Sequence, residues 1–209
     1  MAEGMTQVSA VVLAGGASRR MGVDKRRIEV GGRTLLELAV DIVGSVADDV
    51  VVATREGDDL APAVAASAGA RACADRRPRA GPMGGLEAGL AAAAHEVVLV
   101  VASDMPFVSP AVLALLATEA RARPESDVVV LEGENGPAPL LGAYRRSALG
   151  VVSALLDAGE RRMSALLAGA RCHVIPRACW SLLDPEGLSL VNLNSPSDVA
   201  ALQRSERRG

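Results

Sequence analysis

Aromatic side chains are nearly absent: one Trp, one Tyr and one Phe occur in 209 residues. Base-stacking surfaces for single-stranded nucleic acid need several such platforms, so that function is excluded. The core must instead be built from Ala, Val and Leu, since half of the residues are hydrophobic. This favours helices packed closely on a sheet over an aromatic-rich sandwich. Histidine is scarce too. His95 and His173 alone exclude a histidine-rich metal site. Cys73, Cys172 and Cys179 are odd in number and show neither C-x-x-C pairing nor zinc-type spacing, so free thiols in a reducing compartment are expected. A net charge of −3 gives no broad basic field for nucleic acid. No apolar run approaches the ~18 residues of a membrane span, and no charged-then-apolar leader opens the chain. A cytoplasmic protein is expected, with neither membrane nor nucleic acid as partner.

What the chain does have is alternation. Strand-like apolar runs read at residues 8–13, 50–54, 71–74, 97–101 and 127–131, with weaker ones at 140–144 and 172–176. Helical patterns read at 34–46, 60–68, 83–94, 110–121, 147–156, 163–167 and 196–205. Val97-Val98-Leu99-Val100-Val101 is continuously apolar, as is Val50-Val51-Val52. Strands buried on both faces read this way, and an alternating half-exposed strand does not. The fold class predicted is α/β, a three-layer, doubly wound, mostly parallel sheet of Rossmann-like type. Ligands of such sheets gather at the carboxyl ends of the strands. A single domain spanning 1–209 is expected, because no Pro/Gly/Ser-rich linker divides it.

The most specific segment follows the first run: Leu13-Ala14-Gly15-Gly16-Ala17-Ser18-Arg19-Arg20-Met21-Gly22-Val23-Asp24-Lys25. Gly15 and Gly16 let the backbone turn tightly and bring N–H groups against phosphate oxygens. Arg19 and Lys25 supply a bidentate fork and a point charge. The spacing matches neither a P-loop nor the G-x-G-x-x-G dinucleotide fingerprint. Three other places carry chemistry-bearing residues. Asp104 ends the run at 97–101 and suits Mg²⁺, which takes one or two carboxylates plus phosphate oxygens. Asp75 ends the run at 71–74, and Gly81-Pro82 opens the next helix, whose N-terminus would face a ligand. Arg76, Arg77 and Arg79 between them are either a mobile basic lid or a solvated face.

The string L-A-G-G-x-S-x-R-M-G-x-x-K resembles the signature of nucleotidyltransferases that activate a phosphorylated acceptor with an NTP. Its Gly-Gly pair is similar to that of molybdenum cofactor guanylyltransferases, whereas cytidylyltransferase relatives usually carry Ala-Gly. Later segments follow in the family's order. Asp75 with Gly81-Pro82-Met83-Gly84-Gly85 resembles D-x(n)-G-P-L-x-G, and Asp104-Met105-Pro106 resembles the metal-binding D-x-P. Gly159-Glu160-Arg161-Arg162 resembles a G-x-R-R element on the pterin side, and Asn192-Leu193-Asn194-Ser195-Pro196-Ser197-Asp198 resembles N-x-N-T-P-E-D. One position departs. Relatives carry an asparagine after the second strand, and this chain has Ala53-Thr54, which leaves Thr54 as a stand-in.

The resemblance implies GMP transfer from GTP to the terminal phosphate of molybdopterin, with release of pyrophosphate. The implied cofactor is Mg²⁺ on Asp104. Lys25, Arg19 and Asp104 would be catalytic. Leu13, Ala14, Gly15, Gly16, Lys25, Thr54, Asp75, Gly81, Pro82 and Asp104 would bind the nucleotide. Arg161, Arg162, Asn192 and Asn194 would face the acceptor, although Arg161 and Arg162 equally suit capping of a helix C-terminus. Ser195 reads more simply as a helix cap. The amino-terminal half would hold the NTP and the last third the acceptor, with a molybdoenzyme or its chaperone receiving the product. The alternatives are cytidylyl transfer, a sugar-phosphate acceptor, or a non-catalytic module that delivers the cofactor.

Overall fold

The structure is a computed structural model and describes residues 7–15, 24–77, 79–193, 195 and 198. Gly16, Arg19, Arg20, Asn194 and the helix expected at 196–205 lie outside these residues, apart from Asp198.

A seven-stranded sheet runs in the order β5 (Arg71–Asp75), β4 (Asp49–Arg55), β1 (Val8–Leu13), β6 (Val97–Ala102), β8 (Gly136–Arg145), β7 (Val128–Gly133), β9 (Cys172–Ile175). Only β8 runs against the rest: it pairs antiparallel with β6 and with β7, and all other pairings are parallel. Both faces are covered. Along β1, Val8, Ala10 and Val12 join one core while Val11 and Leu13 join the other. Along β6, Val97, Leu99 and Val101 divide from Val98 and Val100 in the same way. That division is why β6 is apolar without a break, and β1 is so but for the buried Ser9, whose hydroxyl donates to Asp49.

On the first face lie α1 (Leu35–Gly44), α2 (Leu60–Ser67) and α4 (Pro110–Ala122). On the second lie α3 (Pro82–Ala92), α5 (Leu149–Asp157) and α6 (Met163–Gly169). Helix α1 starts at a reciprocal capping box, in which Thr34 and Glu37 satisfy each other's backbone N–H. Helix α3 approaches the sheet closely because it is glycine-rich on that side. A Cβ on Gly89 would meet Val11 Cγ1 at 2.4 Å, and one on Gly84 would meet the Asp75 carboxylate at 2.3 Å.

Three departures from the sequence reading have local causes. A hairpin, β2 (Glu29–Val30) with β3 (Arg33–Thr34), precedes α1 and was not expected, since its strands are too short to show a period. A short helix, α7 (Arg177–Trp180), follows β9. Strand β8 begins at Gly136 rather than near Leu140, so Pro137 and Pro139 lie within it. Its pairing with β6 covers only Leu141–Arg145, so the prolines sit where β8 has run past β6 and an N–H on that side is not needed.

Candidate active site

Chain connections step outward from β1 to β4 to β5, then cross back through α3 to β6 on the other side of β1. The carboxyl ends of β1 and β6 therefore flank the point where strand order reverses, which is where doubly wound sheets hold ligands. The two ends are tied together, the Ser103 N–H donating to the Leu13 carbonyl at 3.1 Å. A cleft of about 190 Å³ opens there. Leu13 at the end of β1 and Gly15 just beyond it line the cleft, with Ala102 at the end of β6 and Ser103 and Asp104 just beyond that. Gly81, Pro82 and Gly85 come from the start of α3, Leu140 from β8, and Lys25 and Arg26 from a single 3-10 turn, Lys25–Arg27.

Lys25 and Asp104 meet across this cleft. The Lys25 ammonium lies 3.9 Å from the Asp104 carboxylate, and both side chains are about a third exposed. Burial raises the Asp104 carboxyl above its usual range, and the positive charge of Lys25 opposes that. The Asp104 carbonyl accepts the Leu193 N–H at 2.8 Å, which fastens the Asn192 segment beside the β6 end. Leu193 is itself anchored in a small cluster with Ile28 and Leu35, packed against Val30, Phe107 and Val191.

Arg26, not foreseen from the sequence, is the most heavily bonded side chain of the cleft wall. Only 5% exposed, it donates to Asp24, Asp58, the Thr54 hydroxyl and the Ala14 carbonyl. Burial alone would raise the Asp58 carboxyl, but hydrogen bonds from Arg26 and Thr54 outweigh it and hold it at about 2. Asp24 is likewise lowered by its bonds from Arg26. The sequence does place Asp24 and Arg26 together, but the second carboxylate lies 32 positions away and nothing local announces it.

The remaining expected residues divide. Gly81, at φ 63°, and Pro82 at the first helical position open α3 directly on the cleft. Ala14 bounds it through its backbone, its N–H donating to Ala53 and its carbonyl accepting from Arg26. Thr54 is only 3% exposed, and its hydroxyl donates to Asp58 and accepts from Arg26, so it does not stand in for an amide against a base. Asp75 turns under the first turn of α3 and accepts the Arg77 N–H; it does not line the cleft. Arg77, about a third exposed, clamps Glu87 of α3 to Asp157 of α5, while Arg76 and Arg79 beside it are exposed, as a solvated face would be. Arg162 pairs with Glu160 and Arg161 donates to the Gly159 carbonyl, so both are held within the connection just past α5. Ser195 and Asp198 satisfy each other's backbone N–H, as a helix cap should.

A second hollow, of about 460 Å³, adjoins the first at Leu140. Met105, Glu134, Asn135, Pro139, Glu186 and Asn192 line it, and Arg177 does so with its guanidinium 5.5 Å above the Trp180 ring. No cluster of three or more His, Cys, Asp or Glu side chains able to hold a metal occurs among the described residues. Among them too, no helix is long and apolar enough to cross a membrane.

Comparison with known proteins agrees with this placement. The MobA-like NTP transferase domain matches residues 10–174. A probable molybdenum cofactor guanylyltransferase of Chloroflexus aggregans is 35% identical over 205 residues, covering 94% of this chain and 93% of that protein. A molybdenum cofactor guanylyltransferase of Desulfosudis oleivorans is 30% identical and covers 98% of both chains. Among solved structures, the molybdopterin-guanine dinucleotide biosynthesis protein A of Archaeoglobus fulgidus superposes with a TM-score of 0.81 at 25% identity, covering 96% of this chain and 100% of that one.

Proposed function

The chain belongs to the MobA-like NTP transferase family, and from that premise we propose that it transfers GMP from GTP to the terminal phosphate of molybdopterin. The observation that carries this reading is the convergence of Lys25 and Asp104 at the ends of β1 and β6, facing the first turn of α3.

GTP would lie along the first cleft. The base would meet backbone groups at Gly15, Gly81 and Pro82, and the phosphates would reach Lys25 and Asp104. Helix α3 presents an N-terminus with no side-chain cap, and with it the positive end of its dipole, to that space. The Lys25 ammonium would then stabilise charge that builds on the α-phosphate as it is displaced. The Asp104 carboxylate fits one Mg²⁺, since a lone carboxylate at a strand end leaves the remaining positions to phosphate oxygens and water. When bound, the ion would neutralise phosphate charge.

The acceptor would occupy the second hollow, beside Asn192 and next to Asp104 through the Leu193 tie. Its phosphate oxygen forms a bond to the α-phosphorus, the bond from that phosphorus to the β-phosphate bridge breaks, and pyrophosphate leaves. The attacking phosphate, with a second pKa of about 6, is already ionised at neutral pH, so no general base is required. Catalysis reduces to positioning and electrostatics.

The test is pyrophosphate release in the presence of Mg²⁺ and molybdopterin, with GTP compared against CTP, ATP and UTP. GTP should be turned over fastest, and chelation of Mg²⁺ should stop the reaction. Preferred turnover of CTP would move the assignment to cytidylyl transfer. Tight binding of GTP and acceptor without pyrophosphate release would turn it to cofactor delivery.

A further inference from the structure

We infer that Arg26 is a positioning residue for GTP: it fixes the backbone entry to the phosphate loop and the turn that carries Lys25. This rests on the guanylyl-transfer reading above. The inference comes from what the guanidinium joins. Through Ala14 it grips the carbonyl that immediately precedes Gly15, a cleft-lining residue. Through Thr54 and Asp58 it grips the end of β4 and the connection to α2. Through Asp24 it grips the residue that caps the 3-10 turn holding Lys25, and Asp24 also accepts the Arg26 backbone N–H at 3.1 Å.

Three separate pieces of backbone are thus bolted to one buried plane, and two of them carry cleft groups. Each guanidinium nitrogen meets at least as many acceptors as it has N–H groups. Arg26 therefore has no donor left for a phosphate, although it borders the cleft, and its effect on GTP passes through Gly15 and Lys25. A lysine keeps the charge but is a point donor and cannot hold a fork between two carboxylates.

The experiment measures GTP saturation curves of pyrophosphate release for the wild type, Arg26→Lys and Asp24→Asn, alongside melting temperatures. A purely structural role would lower the fraction of folded enzyme. That scales turnover but leaves the GTP KM of the surviving enzyme unchanged. A positioning role raises KM as well, because Gly15 and Lys25 no longer meet the nucleotide in register. Arg26→Lys should lower kcat/KM for GTP by about 100-fold, the usual cost of a misplacement near 1 Å, with KM carrying a substantial share. Asp24→Asn preserves volume at a part-exposed site and keeps the fold if Arg26→Lys does not; its GTP KM should rise several-fold with only a modest fall in melting temperature. An unchanged GTP KM in folded Asp24→Asn overturns the inference, whatever Arg26→Lys does. If the wild type itself shows no preference for GTP, it is the guanylyl-transfer reading that fails. A shift in the KM of whichever nucleotide is then preferred still tests the role of Arg26.

Discussion

Lys25 and Arg26 are consecutive cations on one turn, and each faces a carboxylate, but they are held in opposite ways. Arg26 is almost wholly buried, clamped between Asp24 and Asp58 with its remaining donors on Thr54 and Ala14. Lys25 reaches Asp104 only at 3.9 Å, in a pair about a third open to solvent. A saturated, desolvated ion group fixes geometry; a long, part-exposed pair can rearrange around a ligand that brings its own charges. The turn therefore divides architecture from chemistry between neighbouring residues, and the two should respond differently to mutation. Arg26→Met, which leaves Asp24 and Asp58 without their cation, should cost about 3–5 kcal/mol of stability, read from denaturant unfolding. Loss of less than about 1 kcal/mol would remove the architectural half of the contrast. Lys25→Ala should barely move the melting temperature but should cut kcat about 100- to 1,000-fold, the usual effect of deleting a donor to transition-state charge. A kcat within a few-fold of the wild type would break the chemical half.

The sequence displayed these two halves unequally. Lys25 stands out because it closes the glycine-rich string that begins at Leu13, and Asp104 because it follows a continuously apolar run, which, buried on both faces, leaves its polar residues at the strand end. The strand bounds of β1 are legible for the same reason. Arg26 reads as one more residue of a basic stretch, because its role depends on Asp58, which only the packing of β4 beside β1 brings near. Thr54 was misread through the same blindness. Its position at a strand end is visible, but its burial under Arg26 is not. The strand-like run at 140–144 misses the first residues of β8, since the sequence does not reveal that β8 outruns β6 where Pro137 and Pro139 lie.

Next in size is the support behind the cleft. Gly89→Ala places a methyl against the buried Val11 side chain at 2.4 Å, so α3 must move off the sheet. A loss of about 1–3 kcal/mol is expected, as for other overpacked cores. Because α3 opens at Gly81 and Pro82 on the cleft, the GTP KM should rise with it. A stability loss with KM unchanged would show that the helix start is held independently of its middle.

Acid should also separate the two cations. Asp58 is held at about 2 when folded, below the 3.8 of an ordinary aspartate, so its share of stability is present above about 3.8 and drains away as the pH falls towards 2. Asp104 is shifted the other way by burial, so the folded state gains nothing from its ionisation. Between pH 5 and 2.5 the melting temperature of Asp58→Asn should fall less than that of the wild type, while Asp104→Asn should fall at least as much. Parallel curves for wild type and Asp58→Asn would mean that Asp58 titrates normally.

The smallest effect belongs to cations that line neither hollow. Arg162 is 77% exposed in its side chain and pairs with Glu160 two positions away, an arrangement that solvent screens almost completely. Asn192, by contrast, borders the second hollow and is fastened near Asp104 by the Leu193 N–H. If position in the fold and not charge decides who meets the acceptor, Arg162→Ala should change the molybdopterin KM by less than about twofold, while Asn192→Ala raises it several-fold, as loss of a ligand hydrogen bond does. Steady-state kinetics at saturating GTP reads both. The reverse ranking would mean that the α5–α6 connection moves onto the acceptor during turnover and that Arg162 trades Glu160 for a phosphate.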